Sequence, residues 1–207
     1  MGNRAVITTP EKRIGMYLHW NGGRDTIEPL LVYCKMQGYR PPSTDCYGWA
    51  RMAQVMGNFF GGSLSVGIDT YKRLSGAADD NGVYVIDGWE IVDRIEPYEG
   101  FVEQNEYGFR EMLKAFDEKM PAGERLGDYL DAQEVATSEL QLGDEVWMRT
   151  YDGFMYYPVV GFGGKGKVNG VVREGVPYVA LYDHDGNYSW NPNNYVDGDV
   201  CRIRPRK

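Results

Sequence analysis

Apolar residues recur at helical spacing in three stretches of the first 120 residues. Ile27, Leu30, Leu31 and Cys34 mark one face of a helix that Asp25 or Thr26 caps and Gly38 stops. Pro29 falls in its first turn, where a missing N–H costs least. A second helix runs from Cys46 to Phe60, with Trp49, Met52, Ala53, Met56 and Phe60 on one face. Ser43, Thr44 or Asp45 caps it, and Gly61-Gly62 ends it. A third spans Tyr107 to Lys119, with Phe109, Met112, Leu113 and Phe116 turned inward, and stops at Pro121. Strand-like runs lie around them, Arg4 to Thr9 and Ile14 to His19. Val83 to Ile86 and Trp89 to Val92 flank Asp87-Gly88, a pair that favours a type I′ hairpin turn.

From Thr137 onward the texture changes. A turn at Leu142-Gly143-Asp144 leads into a strand, and Asp152-Gly153 turns it back through Phe154 to Gly161. Gly161 to Gly170 reads as a glycine-rich loop. Short runs follow at Val171, Tyr178 to Tyr182, Tyr188 to Trp190 and Val200 to Ile203. Short strands with frequent turns predict a small barrel or sandwich. The expected fold class is α+β. Residues 1–135 form an N-terminal α/β domain with two to three helices and a β-hairpin, and residues 136–207 a small SH3-like β-barrel.

Composition narrows the class. Apolar residues are 43% and charged residues 25% of the 207, as in ordinary globular proteins. No apolar run approaches 18 residues, so no transmembrane helix is expected. The N-terminus lacks the apolar core of a signal peptide. Cys34, Cys46 and Cys201 are too few and too widely spaced for a disulfide framework or a zinc site. These features predict a reduced, cytoplasmic protein with no cofactor and no metal.

Charge is unevenly spread. Residues 96–144 hold 13 acids and 4 bases, and the flanking segments are near neutral. Such a band attracts cationic partners and repels nucleic acid. Carboxylates at phosphate-like spacing can also occupy basic grooves built for nucleic acid. The candidate partner-binding residues are Glu96, Glu99, Glu103, Glu106, Glu111, Asp117 and Glu118. The competing reading is a solvated acidic face that aids solubility.

Asp45-Cys46-Tyr47-Gly48 is the strongest candidate for chemistry. A cysteine in a helix's first turn lies at the positive end of the helix dipole. Papain-like enzymes and NlpC/P60-type cell-wall amidases place their nucleophile this way, and the D-C-x-G pattern resembles theirs. Leu140 to Trp147 resembles the L-x-x-G-D strand entry of the same amidases. Their following histidine has no counterpart here, and the only histidines are His19 and His184. A nucleophile needs a base, so a hydrolase reading requires Cys46 with His19 or His184. The preferred reading of Cys46 is a buried helix-start residue. Lys165 and Lys167 among glycines, and Arg202, Arg204 and Arg206 in the tail, are candidate nucleic-acid contacts. A hairpin tip and a solvated terminus are the plainer readings. Asp183 to Asn187 lacks the later Glu of a calcium loop and reads as a tight turn.

Met1 to Thr8, Tyr17 to Asp25, and Cys46 to Arg51 through Gly57 to Gly62 resemble a family of small phage and mobile-element proteins of gut Firmicutes. Its relatives include an anti-CRISPR inhibitor of type II Cas9 nucleases. The resemblance covers mainly residues 1–95. It implies a non-enzymatic protein that binds and inhibits a host defence nuclease, the acidic band facing a basic groove. The alternatives are the cysteine hydrolase and a DNA-associated accessory protein.

Overall fold

The computed structural model describes residues 2–62, 65–96, 107–150, 153–168, 171–179, 181–182, 188–189, 196 and 198–206. They form an α+β protein of two compact units, Met1–Leu126 and Gly127–Lys207.

In the first unit a mixed sheet has the order β3-β2-β1-β4-β5. Its strands are β1 (Ala5–Thr8), β2 (Ile14–Leu18), β3 (Val66–Thr70), β4 (Val83–Asp87) and β5 (Glu90–Ile95). β1 is antiparallel to β2 and parallel to β4. Strand alternation sorts the side chains. Val6 and Val83 share a small cluster with Ala78. Tyr71 and Leu74 of α3 (Tyr71–Leu74) complete it on that face. Ala5, Ile7, Met16, Leu18, Tyr84 and Ile86 point the other way and are fully buried. The apolar stripes of α1 (Arg24–Met36), α2 (Cys46–Phe60) and α4 (Phe109–Lys119) bury Ile27, Leu30, Met52, Met56, Met112 and Phe116.

α2 has the expected limits because both ends are chemically marked. The Asp45 carboxylate accepts from Tyr47 N, and Gly61 closes the helix at φ 69°. α1 and α4 lie side by side with their starts together. Tyr107 N donates to Asp25 Oδ2 at 3.1 Å, and further along Tyr33 Oη donates to Asp117 Oδ1 at 2.8 Å. The β4–β5 hairpin forms, with a different turn. Asp87 pairs with Glu90, so Gly88 and Trp89 are the central residues. Only Gly88 of the two has positive φ, the sign pattern of a type II′ turn rather than the expected I′.

The second unit holds β6 (Gln133–Ala136), β7 (Glu145–Thr150), β8 (Gly153–Val168), β9 (Val171–Val179), β10 (Leu181–Tyr182), β11 (Tyr188–Ser189) and β12 (Val200–Ile203). Five strands follow the order β6-β12-β7-β8-β9, and β10 pairs with β11 alone. Leu140, Val146, Tyr157, Val159, Val179, Val196 and Ile203 form its core. Among the described residues no pairing joins β9 to β6, so the expected barrel is not closed. The unit begins at Gly127, and β6 pairs with β12 along its whole length. The expected loop over Gly161 to Gly170 is strand as far as Val168, paired with β9. Five glycines hid its alternation. Among the described residues no helix is long and apolar enough to cross a membrane.

Candidate interaction surfaces

Cys46 opens α2 and is exposed, not buried as expected. Its neighbour Asp45 also pairs with Arg40, whose guanidinium lies 4.9 Å from the Tyr47 ring. The glycine of the D-C-x-G pattern has a packing reason. A Cβ at Gly48 would sit 2.3 Å from Pro42 N and 2.4 Å from Pro41 C, so the Pro-Pro loop lies directly against the helix.

No base from His19 reaches this thiol. His19 follows the end of β2 that pairs with the start of β1, Leu18 opposite Ala5. Parallel β4 starts at that same end, with Val6 N donating to Gly82 O. Gly88, beyond the other end of β4, donates to Ser43 Oγ three residues before Cys46. A strand of five residues, rising about 3.3 Å each, therefore separates His19 from the start of α2. His19 instead accepts or donates at Nδ1 with Tyr17 Oη at 2.9 Å and meets the Trp20 ring edge-on. His184 lies outside the described residues. Burial pushes the thiols of Cys34 and Cys201 up, which lowers the thiolate fraction of both.

The acidic band spans both units. The division at Leu126 cuts it, leaving eight of its acids in the first unit and five in the second. Glu99, Glu103 and Glu106 lie outside the described residues. Glu96 and Glu118 are exposed. Glu111, also exposed, turns back to accept from Gly108 N at the start of α4. Asp117 is a correction. It is 6% exposed, and its Oδ1 accepts from Tyr33 Oη and from Leu126 N at 2.6 Å. A carboxylate so enclosed holds the end of the first unit and offers nothing to a partner. Burial, with the Asp117 hydrogen bond next, raises the Tyr33 phenol.

The tail arginines are a second correction. They are not a solvated terminus, because β12 lies between β6 and β7. Arg202 pairs with Glu134, Arg204 with Asp128 and Glu145, and Arg206 with Asp144. Arg204 also lies 4.4 Å from the centre of the Tyr156 ring, and Arg202 5.6 Å from that of Tyr129. Trp147 stacks on Tyr129 with ring centres 4.2 Å apart and planes 9° from parallel, and meets Tyr156 edge-on. Charges spent on this face are not a basic patch for nucleic acid. Burial pushes the Tyr156 phenol up to about 12.

Exposed aromatics are the feature the pattern did not announce. Trp20, Tyr107 and Phe109 are each 44–45% exposed. Trp20 precedes the start of α1, and Tyr107 and Phe109 stand at the start of α4, joined to α1 through Asp25. Phe109 was expected to face inward, but it is the first residue of α4, before the helix turns its stripe to the core. Among the described residues no cluster of His, Cys, Asp and Glu is arranged to hold a metal. Comparison with family models, with curated proteins and with solved structures found no match to this chain.

Proposed function

We propose that the chain is a non-enzymatic mobile-element protein that binds and inhibits a host defence nuclease in the bacterial cytoplasm. A type II Cas9 is the partner to which the sequence resemblance points. The observation that carries this reading is the juxtaposition of exposed Tyr107 and Phe109 with acids at the paired starts of α1 and α4. Large aromatics half in solvent are the usual anchors of protein interfaces, and rim carboxylates steer a cationic partner onto them. Residues 96–106, directly before Tyr107, add four acids and no base by sequence. The second unit enters the reading as an SH3-like scaffold on strand texture alone and carries no part of this interface.

The test is binding and inhibition of a purified Cas9 nuclease. Tyr107→Ala with Phe109→Ala is expected to speed dissociation at least tenfold, since hot-spot truncations cost about 2 kcal/mol or more. Glu99→Lys, Glu103→Lys and Glu106→Lys together are expected to slow association, more so at low salt. Full DNA cleavage by Cas9 in the presence of excess protein would refute the Cas9 assignment. Unchanged binding in both variants would refute the surface.

A further inference from the structure

We propose that the outer part of the β8–β9 hairpin is an arm that lies in a groove of duplex nucleic acid. The inference concerns the second unit and stands apart from the partner proposed for the first. β7 pairs with β8 only from Gly153 to Pro158. Val159 still exchanges backbone hydrogen bonds with Gly143 and Asp144; beyond it β8 pairs with β9 alone among the described residues, out to Val168 opposite Val171. Val196 N donates to Pro177 O at the root of this extension. Beyond it, residues 163–168 and 171–176 form a two-stranded ribbon about 20 Å long at roughly 3.3 Å per residue.

The ribbon has the form and charge that a duplex groove accepts. The major groove, about 12 Å wide, admits a two-stranded β-ribbon. Residues 153–182 carry Lys165, Lys167 and Arg173 against the single acid Glu174, a net of +2 in a chain of −8. The register gathers these charges on three consecutive rungs: Lys165 opposite Glu174, Gly166 opposite Arg173, and Lys167 opposite Val172. Gly161, Gly163, Gly164, Gly166 and Gly175 keep the ribbon thin enough for its backbone to approach the groove walls. At the root Phe162 is 43% exposed. The other basic stretch, the tail, is committed to acids of its own unit.

Fluorescence anisotropy of the full chain with a labelled 20-base-pair DNA duplex tests this. Three neutralised phosphates give a salt slope near −2.7, so affinity is expected to fall roughly 40-fold between 50 and 200 mM salt. Lys165→Glu, Lys167→Glu and Arg173→Glu together are expected to weaken binding at 50 mM at least tenfold and to flatten that slope. The milder pair Lys165→Gln and Lys167→Gln gives a smaller loss in the same direction, should the triple variant misfold by circular dichroism. Lys12→Glu, Lys72→Glu and Arg73→Glu change net charge equally in the first unit and are expected to leave affinity within threefold. The proposal fails if wild type does not bind the duplex at 50 mM salt. It fails too if the two triple variants weaken binding alike, or if a single strand of the same length binds tenfold tighter than the duplex.

Discussion

The two units carry the same net charge and use it differently. Residues 1–126 hold 18 acids and 14 bases, and residues 127–207 hold 12 acids and 8 bases, so each unit is −4. In the second unit the acids at its beginning meet the arginines at its end: Asp128 with Arg204, Glu134 with Arg202, Asp144 with Arg206. These pairs join positions more than 60 residues apart and tie the last strand to the first. Among the described residues of the first unit, Arg24 with Glu28, Arg73 with Asp69 and Arg40 with Asp45 join near neighbours, and Arg4, with Asp79 and Asp80, and Lys35, with Glu90, reach across it. Its deeply enclosed acid among the described residues, Asp117, accepts from a phenol and a backbone amide. Net charge thus says little about role. An acid paired across the unit fixes topology, whereas an acid paired locally or left in water is available to steer a partner.

Removing residues 200–207 breaks the comparison most severely. β12 is an inner strand of the second unit, and Ile203 in its core is fully buried. The truncated chain is expected to lose the second unit entirely and to keep the first. Hydrogen exchange reads this directly: protection should vanish across β6 to β9 and persist in α1, α2 and β4. Loss of protection in both units would show that they fold as one cooperative block.

That strand also separates what the sequence shows, the strand itself, from what it does not, the strand's place in the sheet. α2 was legible to the residue, since Asp45, the apolar stripe and Gly61 are all local signals. The β4–β5 hairpin was legible too, but its turn lies one residue further on, with Asp87 paired to Glu90, and a bulge between Val85 and Ile86 shifts the register again beyond it. β12 was legible as a short strand run, Val200 to Ile203, but its arginines read locally as a basic tail, and only partners some 60 residues away make it an inner strand. β8 reads as a glycine loop, because glycines erase the alternation on which strand recognition depends. The acidic band looked continuous for the same reason: linear order does not reveal that Asp117 turns inward or that Asp144 meets Arg206.

In the first unit the counterpart of the β12 truncation is Asp117→Ala. It leaves Tyr33 Oη and Leu126 N without their enclosed acceptor. The expected cost is about 3 kcal/mol, and Tyr33→Phe about 1 kcal/mol. Thermal unfolding of both variants checks the order. An Asp117→Ala cost below about 1 kcal/mol would mean that water replaces the carboxylate, and that this end of the first unit is held by packing alone.

Acid sharpens the contrast more gently. Arg206 donates Nε to Asp144 Oδ1 at 2.9 Å and Nη2 to Oδ2 at 2.8 Å. Those bonds hold the Asp144 carboxyl below its ordinary range, and the Gln141 backbone N–H adds to them. A carboxyl depressed in the folded state contributes stability that is fully present above its unfolded value of about 3.9. The contribution is lost as pH falls through the lower folded value. The second unit should therefore weaken below about pH 4, and Arg206→Gln should flatten that dependence while leaving the first unit's acid profile unchanged. Equal flattening in both units would assign the effect to overall charge instead of this pair.

The smallest expected change is at Cys46. Its side chain is exposed at the start of α2, and the cap belongs to Asp45. Asp45→Ala is expected to cost about 1 kcal/mol by leaving the first helical N–H groups uncapped. Cys46→Ala should cost under about 0.5 kcal/mol, and the proposed inhibition of Cas9 should be unaffected by it, since His19 lies at the other end of the sheet. The three thiols then report on the two units separately. Iodoacetamide should modify Cys46 in the native protein, Cys34 only when the first unit opens, and Cys201 when β12 detaches. With Cys46 replaced by alanine, labelling at low pH by a dithiodipyridine, which reacts with thiols even in acid where iodoacetamide does not, should appear at Cys201 before Cys34, because the second unit depends on its ionised acids. Labelling of Cys34 first, or of both together, would reverse the assignment of acid-sensitive pairing to the second unit.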